Sequence, residues 1–121
     1  MKTDKILENF GKNLMQKVWD NIIVQMEMIF NGKMKSKDAQ ILNKKIIKLN
    51  AEEKFILKEI TMETLRRSIF NVLNYFEEEE KYFIGFNDGR NIIDIKELSD
   101  GLAGELYGKT GWIKKYSKKE I

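Results

Sequence analysis

The chain has 121 residues and a formal net charge of +3, and it contains no His, no Cys and no Pro. The missing His and Cys exclude imidazole or thiol catalysis, disulfide bonds and the softer metal ligands. Hydrophobic residues make up 42% of the chain and the charges nearly cancel, which is typical of a folded protein rather than a disordered one. We expect a single domain over residues 1–121, with a helical core over residues 1–80 and a hairpin, a short helix and a glycine-rich end over residues 81–121.

The first predicted helix is marked by apolar residues at spacings of three and four, and it is expected to end at Asn31-Gly32. The residues of this stripe are Ile6, Phe10, Leu14, Val18, Ile22, Met26 and Ile29. Between Ile22 and Phe30 the helix is apolar on more than one side, which is typical of a helix covered all round. The sequence leaves open whether this is the central helix of the domain or an interface, including a homodimer through Ile22–Phe30.

Two or three further helices are predicted before residue 80. Ser36 or Asp38 can cap a second helix that reaches Leu49. Asn50 followed by Glu53 is a capping-box pattern that opens a third helix. A fourth helix, separate from the third or continuous with it, is predicted by an apolar stripe. That stripe consists of Met62, Leu65, Ile69, Val72, Leu73 and Phe76.

The pattern changes to a period of two at residue 81. Apolar residues alternate from Tyr82 to Phe86, and the Asp88-Gly89 pair that follows is a strong hairpin signal. A short helix is expected from Ile95 to about Tyr107, and Trp112–Tyr116 is expected to form a last strand or turn. The predicted fold class is therefore mainly α, a three- to four-helix bundle with a small C-terminal β-hairpin and a short helix.

Two short motifs resemble patterns that carry chemistry. Residues 103–110 fit a relaxed phosphate-loop pattern, but too few residues follow Thr110 for the helix that such a loop needs. Asp94-Ile95-Lys96 has the acid-x-Lys order of metal-dependent nucleases, yet Asp94 and Glu97 also suit a helix cap. We therefore expect no catalytic residue, no cofactor and no metal site, and a protein that is not an enzyme.

Charged residues are clustered along the chain. An acidic run covers residues 77–80, and lysines dominate residues 33–48 and 109–119. A charge run is ordinarily a solvated face, but it can also steer an oppositely charged partner, and neighbouring aromatic residues can anchor one. The predicted partner-binding residues are Glu77, Glu78, Glu79, Glu80, Tyr107, Trp112 and Tyr116. The sequence leaves open whether Trp112 belongs to the core or to an interface.

The C-terminal segment Asp94–Lys118 resembles the ending of small bacterial proteins of the toxin-immunity type. The similarity lies in Ser99-Asp100-Gly101-Leu102, Glu105-Leu106-Tyr107 and Gly111-Trp112-Ile113, and it covers about a fifth of the chain. The resemblance implies a non-catalytic protein that binds and neutralises another protein. It assigns no functional residue.

The expected function is therefore a protein–protein interaction module, with toxin immunity as its specific form. The alternative is a nucleic-acid-associated regulator that uses the lysine clusters 33–48 and 109–119. The N-terminus lacks the apolar stretch of a signal peptide, and the run Ile22–Phe30 is too short to span a membrane. We expect a cytoplasmic protein that does not bind membranes.

Overall fold

The computed structural model describes residues 3–119, with side chains from residue 5 onward. Over these residues the chain is mainly helical, with one small antiparallel hairpin and a short C-terminal helix, and the predicted fold class is confirmed. The elements in chain order are α1 (Thr3–Leu14), a π-helical segment (Met15–Trp19), α2 (Asp20–Phe30), α3 (Lys37–Ile46), α4 (Ala51–Glu78), β1 (Gly85–Asn87), β2 (Ile92–Asp94), two 3-10 turns (Ile95–Leu98 and Ala103–Leu106) and α5 (Trp112–Tyr116).

Helix α1, the π-helical segment and α2 form one unbroken helix, because Leu14 and Trp19 keep helical backbone angles. The N–H of Asp20 donates to the carbonyl oxygen of Met15, which is the five-residue bond of a π-turn. Residues four apart drift by about 40° per step around an α-helix. The wider π-turn offsets that drift and keeps one row facing inward. This row is Leu7, Gly11, Met15, Trp19 and Ile23, all buried.

The predicted stripe of the first helix is therefore wrong by one residue from Leu14 to Ile22, whereas its members Ile6 and Met26 are buried. Met15, Trp19 and Ile23 are buried, whereas Leu14 and Ile22 are half-buried and Val18 is 39% exposed. The expected burial of Val72 on α4 is also wrong, since its side chain is 53% exposed.

Helix α3 packs against the end of α2. The side-chain amide of Asn43 donates to the last carbonyl groups of α2, those of Ile29 at 3.0 Å and Phe30 at 3.1 Å. The predicted cap at Ser36 is confirmed, because its hydroxyl accepts the N–H of Ala39.

Helix α4 runs without interruption for 28 residues, about 42 Å at 1.5 Å per residue. The predicted capping box is confirmed, with Asn50 and Glu53 exchanging hydrogen bonds of 2.8 and 2.9 Å. None of residues 51–61 is buried, whereas Met62, Leu65 and Leu73 lie in the core. The first three turns of α4 therefore contribute no fully buried side chain, although Lys58 lies over the ring of Phe30 at the end of α2.

The predicted hairpin is confirmed. Strands β1 and β2 are antiparallel, with Phe86 opposite Ile93. The carboxylate of Asp88 accepts the N–H groups of Arg90 and Asn91, and Gly89 has φ of +96° in the turn. The apolar side of the hairpin packs against the core. Its neighbours there include Ile6 of α1 and Ile95 of the first 3-10 turn.

The C-terminal region differs from its prediction in two ways. The expected helix from Ile95 to Tyr107 is two separate 3-10 turns, with glycine at position 101 between them. The segment Trp112–Tyr116, predicted as a strand or turn, is helix α5. Leu102, Leu106 and Trp112 of this region are buried in the same core as the long first helix. None of the helices that the structure describes has both the length and the hydrophobicity needed to cross a membrane.

Candidate protein-interaction surface

The carboxylate of Glu8 on the first helix accepts hydrogen bonds from three side chains of α5. The Oε1 atom of Glu8 accepts hydrogen bonds from the Lys115 ammonium at 2.7 Å and the Tyr116 hydroxyl at 2.6 Å. The indole N–H of Trp112 donates to Oε2 at 3.4 Å. The bonds from Lys115 and Tyr116 lower the pKa of Glu8, and the bond to Glu8 raises the pKa of Lys115. Burial, followed by the bond to Glu8, raises the pKa of Tyr116.

Two further acids on α2 hold the residues that follow α5. Asp20, only 7% exposed, accepts the Ser117 hydroxyl at 2.6 Å and the N–H of Lys118 at 2.8 Å. Glu27 forms an ion pair with Lys119 at 3.4 Å. The C-terminal segment is therefore bonded along the long helix and belongs to the structural framework.

Trp112 lies in the core rather than on the surface, which settles the alternative that the sequence left open. Its side chain is 1% exposed, and its ring meets Phe10 edge-on at a centroid distance of 5.7 Å. The expectation that Trp112 offers an anchor to a partner is corrected, since no partner can reach it in this fold. The Tyr116 hydroxyl is engaged by Glu8, whereas Tyr107 is 45% exposed beside Phe70.

The acidic run is partly used inside the molecule. The carboxylate of Glu77 accepts the N–H of Ala103 at 3.0 Å and so ties the end of α4 to the second 3-10 turn. The carbonyl oxygen of Glu79 accepts from the Lys96 ammonium, and its carboxylate accepts the N–H of Glu80. Glu78 and Glu80 are exposed. The acidic run therefore joins the end of α4 to the two 3-10 turns, and only part of its charge is exposed to solvent.

The lysine clusters differ in their surroundings. In the cluster 33–48, Lys44, Lys45 and Lys48 are exposed on or just after α3. In the cluster 109–119, Lys115 and Lys119 are paired with acids of the first helix. The second cluster is therefore partly neutralised by its own fold.

An open apolar groove lies between α2 and α4, with α3 at one end. It consists of two adjoining hollows of about 370 and 390 Å³, which share Ile22, Met26 and Thr61 as lining residues. Leu42 of α3 and Leu57 of α4 line the second hollow. Among the described residues, no charged side chain lines either hollow. We call this feature the α2–α4 groove.

A second group of exposed apolar side chains lies on α3, just after it and on the first turns of α4, and we call it the apolar corner; Phe55, Ile56 and Ile60 of this group line a hollow together with Glu59, Glu63 and Arg66. Its side chains are between 43% and 62% exposed. They are Ile41, Ile47, Phe55, Ile56 and Ile60. Ile60 also lines the first hollow, so that the apolar corner and the α2–α4 groove adjoin. Sequence reasoning missed both features, although the half-exposed positions Ile22 and Ile29 belong to the stripe that it assigned to a core or an interface.

The motifs that resembled catalytic patterns have structural roles. The carboxylate of Asp94 accepts the N–H of Lys96 at 3.1 Å and caps the first 3-10 turn. Residues 103–110 form a 3-10 turn and a loop, and the residues directly before them, 99–102, are not a strand. Among the side chains that the structure describes, those of residues 5–119, no three acidic groups lie together as a metal site would require.

Comparison with protein-family models, with curated proteins and with solved structures found no match.

Proposed function

We propose that the protein is a non-catalytic protein-interaction module whose partner docks on the α2–α4 groove and the apolar corner. The observation that supports this is the set of exposed apolar side chains on α3 and the first turns of α4, next to a groove that no charged side chain of the described residues lines.

The location of the apolar side chains supports the same proposal. Six large aliphatic or aromatic residues between positions 41 and 60 are more than 40% exposed. They are Ile41, Leu42, Ile47, Phe55, Ile56 and Ile60. Exposed large apolar side chains rimmed by charged ones, as Phe55, Ile56 and Ile60 are by Glu59, Glu63 and Arg66, are typical of an interaction site. We assign the partner to this patch, because Trp112 and half of the acidic run serve the fold.

The specific form that we propose is immunity, in which the partner is a bacterial toxin that the protein neutralises by stoichiometric binding. Support for this form is the resemblance of residues 94–118. The matching residues Leu102, Leu106 and Trp112 are buried, so the resemblance bears on the scaffold. We therefore place the contact with a toxin on the α2–α4 groove and the apolar corner.

The test is affinity capture from a lysate of the source cell with three forms of the full chain. Ile60→Lys places a charge where the apolar corner and the α2–α4 groove adjoin, and Ile60 is 59% exposed. Ile92→Lys is the control, because it makes the same change on the hairpin, where Ile92 is 64% exposed. We expect the wild type and Ile92→Lys to retain the same protein, and Ile60→Lys to lose it. Under the immunity form, the retained protein is toxic when expressed alone and is silenced by an equimolar amount of the wild type.

Two results would contradict the proposal. One is equal retention of the partner by all three forms, which would move the interface elsewhere. The other is capture of nucleic acid that is lost when Lys44, Lys45 and Lys48 are changed to Gln, which would favour the nucleic-acid-associated regulator.

A further inference from the structure

The α2–α4 groove has an unusual chemistry for this chain. Charged residues make up 34% of the sequence, yet the described residues that line the two hollows are aliphatic, aromatic, thioether, amide or hydroxyl side chains. A charged group of a partner would lose its hydration there without gaining a counter-charge. The part of any occupant that enters the groove is therefore uncharged.

The shape of the groove restricts the occupant to an elongated element. On α4 the lining extends from Leu57 to Ile69, about 18 Å at 1.5 Å per residue. The facing side of α2 contributes Ile22, Gln25 and Ile29. A trough between two helices accepts a third helix, whose apolar residues every three or four positions fill the hollows in turn. Its length corresponds to about three turns of that helix.

The end of the groove at α3 is basic. Leu42 and Ile46 of α3 line the second hollow, and Lys45 and Lys48, which flank Ile46 in the sequence, are exposed. The Lys58 ammonium lies 5.1 Å from the centre of the Phe30 ring, which lines the same hollow. Residues 33–48 contain a single acid, Asp38. An occupant that carries acidic side chains at this end gains favourable electrostatics, and a basic one is repelled.

We propose that the α2–α4 groove binds an amphipathic α-helix of a partner protein, with an uncharged stripe in the groove and acidic side chains facing α3. This inference rests on the proposed function and adds the kind of element that the partner presents. A second copy of this chain fits less well, because a two-fold contact would set one concave groove against another and leave both unfilled.

The test uses two designed peptides of about 18 residues that share one Leu/Ala stripe and differ only in flanking Glu or Lys. Binding to the full chain is measured by fluorescence anisotropy, and methyl NMR signals locate the contact. We expect the Glu-flanked peptide to bind at least about tenfold more tightly than the Lys-flanked one. The shifted signals should be those of Ile22, Met26, Ile29 and Leu57.

Matched variants connect the binding to the groove. Thr64 lines the first hollow and is exposed, so Thr64→Glu is expected to preserve the fold and to weaken peptide binding by at least about tenfold. Thr110→Glu makes the same change at an exposed loop position and should bind as the wild type does. Lys45→Gln combined with Lys48→Gln should reduce the preference for the Glu-flanked peptide.

Three results would overturn the inference: equal affinity for the two peptides, methyl shifts outside the groove, or unchanged binding by Thr64→Glu. Concentration-dependent shifts of the Ile22 and Ile29 methyl signals without peptide would identify a second copy as the occupant, which also overturns it. Its failure is distinguishable from that of the proposed function. If Thr64→Glu still captures the cellular partner, the interaction function stands with the apolar corner as its docking surface, and only docking on the groove is excluded.

Discussion

The indole of Trp112 lies directly against the backbone of Gly11. A β-carbon built on residue 11 would be 2.3 Å from Cε2 and 2.4 Å from Cδ2 of that indole. Glycine inside a helix costs about 1 kcal/mol relative to alanine. Here that cost is offset by the burial of a large aromatic ring on the helix. The contact fixes α5 against α1, and the bond from the same indole to Glu8 reinforces it.

Gly11→Ala is expected to destabilise the fold by about 1–3 kcal/mol, the usual cost of overpacking a core. Urea unfolding measures this change. Gly104→Ala is the control, because nothing lies within 4 Å of a β-carbon at that position, and its effect should stay within about 0.5 kcal/mol.

The same contact predicts coupling between the two positions. Trp112→Leu removes the ring that a β-carbon would meet, so adding Gly11→Ala to it should cost less than Gly11→Ala costs in the wild type. Strict additivity of the two free-energy changes would show that the cost at residue 11 has another origin.

Because the π-helical segment shifts the buried row, we expect Ile22 and Ile23, which are adjacent and identical, to differ in their contribution to stability. Ile23 is 1% exposed, and Ile23→Ala should cost about 2–5 kcal/mol. Ile22 is half-buried on the groove, so Ile22→Ala should cost clearly less. Chemical denaturation of the two variants measures the difference. The reverse order would restore the stripe predicted from the sequence and remove the role of the π-turn.

Glu8 predicts an acid-sensitive attachment of the C-terminal segment. Its bonds to Lys115 and Tyr116 lower its pKa in the folded state below the ordinary value of 4.5. The carboxylate therefore stabilises the fold above pH 4.5, and this stabilisation is lost as the pH falls through the lower folded pKa. Glu105 acts in the opposite sense, because burial, followed by the charges of Glu8 and Asp100, raises its pKa.

The measurement is the free energy of unfolding of the wild type and Glu8→Gln between pH 3 and pH 7, a range that extends below and above the ordinary carboxyl pKa. We expect the variant to be less stable at pH 7 and to lose less stability on acidification. Glu59→Gln, at an exposed position of α4, is the control. Parallel curves for Glu8→Gln and the wild type would exclude the role of Glu8.

The hairpin turn requires glycine at position 89, where φ is +96°. Gly89→Ala is expected to cost about 1–2 kcal/mol, because a β-carbon is penalised in this region of backbone space. Amide hydrogen exchange at Phe86 and Ile93 should accelerate while helix content is unchanged. Gly101→Ala is the control, because a β-carbon at that position has no neighbouring atom within 4 Å. Hydrogen exchange at Phe86 and Ile93 should be the same in this variant as in the wild type.

The candidate site was only partly predictable. The sequence marks Ile22 and Ile29 as apolar and leaves an interface through residues 22–30 open. It contains no signal that Leu42 and Leu57 would join them in one groove, because that depends on how α3 and α4 pack. The acidic run was prominent in the sequence, but the bond from Ala103 to Glu77 joins residues 26 positions apart and follows from no local pattern.

The sequence by itself determined the elements whose bonds join near neighbours. The Asn50–Glu53 capping box, the Ser36 cap and the Asp88-Gly89 turn each depend on side chains within about four residues of the backbone groups that they bind. Only the tertiary structure decided which row of the first helix is covered. Trp112, Tyr116 and Ser117 meet that helix from about a hundred positions away, and the Trp112 ring covers Gly11. The physical reason is that helical periodicity shows an apolar face to within one residue, whereas long-range packing and one π-turn select the row that enters the core.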